Sequence, residues 1–369
     1  MKHNIKVILK IVLIIVNALA ALALIFTGYS GCISPDTMPL ANSAGLTFPV
    51  WLVLIIVCLI VDAVLYRKLV AVPVVAMLVT ISPILNYSPL NFFHHTLTEE
   101  EKANSFKLLS YNVYNFCAYD EKYPGDVNPT ISYILAEDAD VVSLQEAEIF
   151  SPMPQFHITQ EQIDSLKERY PYRSIIGRNA ALSVFSKYPI THVDLHEDSM
   201  SVNHREGMRG WEIDIKGHKV LLLNVHLQSI GLSDEDKELY QEITDFKDKK
   251  LTGLRSSLLS KLSIANVARA AQAERLRVKI DSIGDENVIV AGDFNDIQGC
   301  YSMRTISDGK MKQAYRECAL GPTITYHSNR FYFRIDHILY QGKLKATELK
   351  KGKLKSSDHY PQTVTFVFE

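Results

Sequence analysis

The stretch Val288-Ile289-Val290-Ala291-Gly292-Asp293-Phe294-Asn295 decides how this chain reads. Its apolar, largely β-branched start predicts a buried strand. Gly292, with no side chain, lets another group come close. Asp293 and Asn295 follow two residues apart, so in extended chain they point to the same side. There the carboxylate can take or orient a proton, and the amide can hold a phosphate oxygen or an attacking water. The plainer reading is an Asx turn that simply closes the strand. What favours chemistry is that the same design recurs along the chain.

Asn112 lies at the end of a strand expected over Phe106–Val113, and Glu146 directly follows one at Asp140–Gln145. His226 closes the run Lys219–Val225. Asp336 stands in Arg334-Ile335-Asp336-His337, and Asp358 and His359 end Ser356-Ser357-Asp358-His359. Each has a bland alternative: a surface acid opening a loop for Glu146, a structural imidazole for His226. Gathered at the mouth of a sheet, they have the composition of a metal-assisted phosphoester hydrolase. A carboxylate held at a strand end suits a hard cation, and an amide there can ligate the ion or bond a phosphate oxygen. A His tuned by an Asp can polarise water near neutral pH, the carboxylate fixing which ring nitrogen carries the proton. His226 offers a second imidazole for developing negative charge or for the leaving oxygen. His192, His196, His204, His218 and His337 have no such context.

Oxygen donors dominate, so Mg²⁺, or Mn²⁺, fits better than structural zinc. The five Cys have no metal spacing. Cys300 and Cys318 read as free thiols, with a disulfide between them as the alternative in an oxidising compartment. The sequence contains no Gly-rich phosphate loop, no Gly-x-Ser-x-Gly elbow and no dinucleotide fingerprint, which leaves water as the nucleophile.

Charge divides the chain. Residues 1–96 contain five Lys or Arg and two Asp; removing these from totals of 39 and 41 leaves residues 97–369 at a net of −5. Such a domain lacks the bulk positive field of a protein that grips long nucleic acid non-specifically, although a local basic groove stays open. Residues 1–90 read as a transmembrane segment with helices at about 5–28, 48–66 and 69–87. For the first run a cleaved signal peptide competes, and the two further runs favour a retained anchor. Lys2, Lys6 and Lys10 hold the N-terminus in the cytoplasm, and Arg67 and Lys68 return the chain there. If the third run spans, the rest of the chain lies outside the cytoplasm, and this is the reading preferred. If Pro73 and Pro83 make that run re-entrant, it lies inside. Asp62, about a turn inside the second run, is expected to reach the interface near Arg67.

Residues 91–105 read as a polar linker and 106–369 as a catalytic domain. Helices are expected at Pro129–Ala136 and Glu161–Arg169, and over Asp234 to about Ser282 with a break near Thr252–Gly253. Further strands fall at Tyr172–Ile176, Ala181–Ser186, Trp211–Ile215, Val288–Ala291, Tyr332–Tyr340 and Thr363–Phe368. Strands that alternate with helices and also come in hairpin-like runs argue for a pair of mixed sheets covered by helices.

In this order the motifs resemble the endonuclease/exonuclease/phosphatase superfamily, which includes the DNase I-like phosphodiesterases. The resemblance spans about Phe106 to Phe368 and implies an α/β fold, a four-layer sandwich of two mixed sheets with the active site at one edge. It implies Glu146 as the principal metal ligand, assisted by Asn112 and Asp358. Asp336 would orient His359, Asp293 and Asn295 would place the nucleophile, and His226 would stabilise the transition state or leaving group. A His in Asn224-Val225-His226-Leu227, where abasic-site endonucleases carry a Tyr, points to the DNase I, sphingomyelinase and inositol-phosphatase branches. Arg173, Arg178 and Arg209 are candidates for touching phosphate, with surface ion pairing as the equal alternative.

The expectation is a membrane-anchored, Mg²⁺-dependent phosphodiesterase using in-line water attack. Its partners are a phosphoester substrate (a lipid headgroup, nucleic acid or small diester) and the bilayer. An extracytoplasmic nuclease is one alternative. A catalytically inactive receptor for a phosphorylated ligand is the alternative of another class, disfavoured because all the motifs are present. Substrate choice is assigned to the loops 148–160 and 197–210 and the insert 232–262.

Overall fold

A computed structural model describes the chain except for residues 1, 94, 118–125, 148–151, 177–181, 196–206, 232–235, 237–250, 285 and 329–330. Arg178, His196, His204 and parts of the three candidate specificity loops lie outside the described residues. The strands in chain order are β1 (Ser105–Asn112), β2 (Val141–Gln145), β3 (Tyr172–Ile176), β4 (Leu182–Ser186), β5 (Ile190–Val193) and β6 (Gly207–Ile215). They continue as β7 (His218–His226), β8 (Asn287–Asp293), β9 (Lys312–Gln313), β10 (Asp336–Gln341), β11 (Leu344–Lys351) and β12 (Gln362–Phe368).

They form two six-stranded sheets, ordered β11-β12-β1-β2-β4-β3 and β5-β6-β7-β8-β10-β9. Each sheet has one parallel pair at its centre, β1 with β2 and β7 with β8, and antiparallel neighbours elsewhere. The parallel pairs bring the ends of β1, β2, β7 and β8 to one rim. β10 runs antiparallel to β8 with Asp336 paired to Asp293, so its first residue reaches that rim too.

The inner faces of the sheets pack through Phe106, Val184, Trp211, Leu222, Ile289, Ile338 and Phe366. The outer face of the first sheet uses Leu109 and Val142 against Ile131 and Ile134 of helix Pro129–Glu137 and Leu166 of helix Gln160–Arg169. That of the second uses Leu223 and Val290 against Leu276 and Ile280 of helix Leu251–Ile283 and Ile306 of helix Tyr301–Ser307. Four layers result, each buried aliphatic side chain contributing about 1.5–3 kcal/mol against solvent exposure. The sandwich and its two mixed sheets are as the sequence predicts. Thr252 and Gly253 are helical, so the break expected there is absent from the described helix. β10 starts at Asp336 rather than Tyr332, because Tyr326 bridges Phe333 and Thr325 Oγ1 accepts the Ile335 and Asp336 amides.

Gly292 is obligatory in β8. Its φ is +145°, and a Cβ there would lie 2.0 Å from the Val225 carbonyl oxygen of the parallel neighbour. Cys300 and Cys318 are free thiols.

The N-terminal part contains helices Lys2–Gly28 and Phe48–Leu65, and Ile5–Gly28 and Ala41–Leu65 are long and apolar enough to cross a bilayer. The third apolar run, expected as one helix, forms two, Ala71–Val79 and Ile81–Tyr87. Pro83 has no amide to bond back into the first of these. Thr80 donates through both its amide and its hydroxyl to the Ala76 carbonyl, ending that helix. Asp62 does not reach towards Arg67. It continues the buried face Phe48, Leu52, Ile55, Cys58 at helical spacing and so turns into the helix packing beside Asn17.

This helical part is docked on the sandwich. Asn42 Oδ1 accepts from the Tyr301 amide at 3.1 Å, and Asn266 Nδ2 donates to the Pro39 carbonyl at 2.7 Å. Arg316 Nη1 donates to Asn86 Oδ1 at 2.7 Å, and Asn91 Nδ2 to the Arg316 carbonyl at 2.8 Å. Gly31 sits so close that a Cβ would be 2.1 Å from the Gly299 oxygen. The linker includes a short helix, Glu99–Ala103, started by a Thr98–Glu101 capping box.

Candidate active site

Asp293 is the hub of the rim. Only 1% exposed at the end of β8, it accepts through Oδ1 from the Asn295 amide at 2.8 Å. Its Oδ2 accepts from Asn112 Nδ2 at 3.1 Å and faces His226 Nε2 at 3.6 Å and His359 Nε2 at 3.5 Å. Asn112 Nδ2 also donates to Glu146 Oε1 at 3.1 Å, which lies 3.9 Å from His226 Nε2. His359 Nδ1 stands 2.8 Å from Asp336 Oδ2, and its Nε2 is 4.0 Å from Asp358 Oδ1. Asn295 Nδ2 donates to the Leu227 carbonyl at 3.0 Å, tying the loop after β8 to the residue after His226. All eight residues singled out from the sequence therefore converge on one cluster.

Local backbone explains the aim of these groups. Glu146 and Asn295 have φ of +54° and +48°, left-handed conformations that turn each residue out of its strand into the mouth. The Glu146 carbonyl accepts from the Asn115 amide, holding that turn. His359 is aligned by its own amide donating to Ser357 Oγ, whose hydroxyl donates to the Asn112 carbonyl at 2.7 Å. Tyr326 packs edge-on against the His359 ring at 5.0 Å.

Burial lifts the Asp293 carboxyl above the ordinary range, with Asp336 adding to it and His359 opposing. Burial would also discharge His359, but Asp336, Asp293 and Asp358 outweigh it and hold the ring's pKa well above normal. A proton thus sits between two basic groups 3.5 Å apart, and they titrate as a pair. Asp358 is pushed up to about 6 by burial and by the nearby Glu146 and Asp293 carboxylates. Carboxylates crowded at a buried mouth, with neutral amide oxygens beside them, fit a divalent cation. Asp293, Asp336 and His359 also have ligand atoms within 4.8 Å of one another. Because Asp336 Oδ2 is already engaged by His359 Nδ1, that trio reads better as an oriented acid–base pair facing a carboxylate.

Several supporting residues have no signature in the sequence. Gln145 Nε2 donates to Asn224 Oδ1 at 2.7 Å, and Asn224 Nδ2 donates to the Leu144 carbonyl at 2.9 Å, pinning the two sheets together beneath Glu146. Buried Arg269 faces Asp296 at 3.3 Å and donates to the Gln228 carbonyl, bracing the segment after Asn295. His337 Nε2 donates to the Asp296 carbonyl at 2.9 Å, and burial with the neighbouring Arg334 drives its pKa down to about 3. Arg173 is spent on the Tyr170 and Pro171 carbonyls, and Arg209 on that of Met208.

No curated protein sequence matches the chain. Among solved structures it is similar to truncated TDP2 from Caenorhabditis elegans (17% identity, 72% of this chain and 98% of that one, TM-score 0.47). An endonuclease/exonuclease/phosphatase family protein from Bacteroides thetaiotaomicron is similar at 19% identity over 72% and 98%, TM-score 0.45. So is beta toxin from Staphylococcus aureus, at 17% over 70% and 99%, TM-score 0.39. A model of a domain of unknown function matches residues 9–87. The endonuclease/exonuclease/phosphatase family model matches residues 109–359, well over half the chain and the whole of the rim just described. The chain therefore belongs to the endonuclease/exonuclease/phosphatase family, whose members are metal-dependent phosphoester hydrolases.

Proposed function

We propose that the chain is a membrane-anchored phosphodiesterase that uses Mg²⁺, with Mn²⁺ as a substitute, and acts outside the cytoplasm. The observation that carries the chemistry is the meeting of Asn112, His226 and His359 on one Asp293 oxygen. Glu146 would hold the cation with Asn112 and Asp358, and the bound ion would supply charge stabilisation for the phosphate oxygens. Asp293, its proton affinity raised by burial, takes the proton of an attacking water, which Asn295 positions. His359, kept charged by Asp336, stabilises negative charge growing on the phosphate, and His226 serves the leaving oxygen.

The anchor rests on the two long apolar helices. Lys6 and Lys10 lie at the far end of the first helix, and Arg67 and Lys68 beyond the far end of the second. The sandwich docks at the opposite end, through Pro39, Asn42 and Asn86. Under the positive-inside rule this arrangement supports reading catalysis as extracytoplasmic. An anchor close to lipid favours a headgroup phosphodiester as substrate. The test offers full-length protein with Mg²⁺ a labelled phospholipid and plasmid DNA. Cleavage of the lipid alone, abolished by EDTA and by Glu146→Gln, is the expected result. Cleavage of DNA alone refutes the lipid assignment, and turnover undiminished by EDTA refutes the metal reading.

A further inference from the structure

Between the helical part and the sandwich lies a cavity of about 280 Å³. Gly28, Phe48 and Tyr87 bring the ends of three apolar segments to one wall; Gln298, Gly299 and Arg334 form the other. Arg334 is 3% exposed. Its Nη2 donates to the Asn86 carbonyl and its guanidinium stacks 3.8 Å from the centre of the Tyr315 ring, but Nη1 has no hydrogen-bond partner. The Gln298 Oε1 atom, also buried, has none either. No acidic side chain lines the cavity, and no carboxylate pairs with Arg334 among the described residues. An isolated guanidinium out of water is costly unless something neutralises it. Burial accordingly pulls its pKa down to about 10.

We propose that this cavity binds the phosphate of an anionic phospholipid, held by Arg334 Nη1, with a headgroup hydroxyl on Gln298 and the glycerol end against Phe48 and Tyr87. The ligand chemistry follows from the lone positive charge, and the lipid source from the three helix ends that frame the cavity on the sandwich-facing side. The site is separate from the Asp293 cluster, and the assignment rests on the membrane reading above.

The test uses the full chain in neutral detergent. Thermal unfolding is followed with added phosphatidylglycerol, phosphatidylcholine or inorganic phosphate, and flotation with vesicles is measured in parallel. Phosphatidylglycerol is expected to raise the midpoint by several degrees, with phosphatidylcholine and inorganic phosphate far weaker. Arg334→Met should weaken phosphatidylglycerol binding at least tenfold while leaving flotation unchanged. Should that variant fold poorly, Gly299→Leu provides a second arm: a Cβ at 299 meets nothing within 4 Å, so the side chain can fill the space with Arg334 intact. The same loss is expected. Equal shifts with both lipids, an unchanged response in the variants, or a full shift with inorganic phosphate alone overturns the proposal. Failure to float refutes the membrane reading itself, a result separable from failure at the cavity.

Discussion

Replacing Asp358 with Asn should stabilise the metal-free protein while removing its response to the cation. A rise from 3.8 to about 6 corresponds to about 3 kcal/mol, at about 1.4 kcal/mol per unit. The folded-state pKa lies above the unfolded one. The contribution of this group to stability is therefore fully present below pH 3.8 and is lost as the pH rises through about 6. Asparagine mimics the neutral acid at every pH. The variant should match wild type near pH 3.5, exceed it by about 1.5 kcal/mol at pH 5 and by about 3 kcal/mol at pH 8. For a domain of this size the last figure is about 5–10 °C in midpoint. Adding Mg²⁺ at about a hundred times its Kd should raise wild type by about 2.7 kcal/mol and leave Asp358→Asn nearly unmoved. Thermal unfolding in chelator and in Mg²⁺ at pH 5 and 8 measures all of this. A variant less stable than wild type by the same amount at both pH values refutes the argument, because it would mean that the carboxylate is stabilising and already satisfied.

Other substitutions probe other parts of the site. Asp336→Asn removes the charge that orients His359 and keeps it protonated, and kcat should fall about 10²–10⁴-fold; a loss under tenfold contradicts that role. Gly292→Ala sets a Cβ against the Val225 carbonyl and should cost about 3–5 kcal/mol, read by denaturant unfolding. Asn224→Leu strips Gln145 Nε2 of its buried acceptor and should cost about 2–4 kcal/mol, with a secondary loss of activity through Glu146.

The sequence reveals what lies at strand ends and conceals what holds those ends in place. Asp293, Glu146 and His226 are legible because each follows an apolar run that must be a buried strand. Ser357 gives no local sign, since its partner, Asn112, is 245 residues away. Arg269 reads as an ordinary helix-surface cation until the fold sets Asp296 beside it. β5 and β11 escape notice for a different reason: half-exposed edge strands such as Leu344–Lys351, rich in Lys, carry no unbroken apolar run. Asp62 misleads because sequence distance from Arg67 suggests a shared surface, whereas helical phase turns it towards the first helix.

Gly31, set against the carbonyl of Gly299, leaves no room for a side chain on the helical half of the joint. Neither half is then free to vary alone. A larger residue at 31 demands retreat of the backbone at 299 and 300, so helices and hydrolase are expected to be inherited as a unit rather than shuffled. The reaction centre would ride at a fixed height, like a stylus on a short arm, reaching only what its own support brings beneath it.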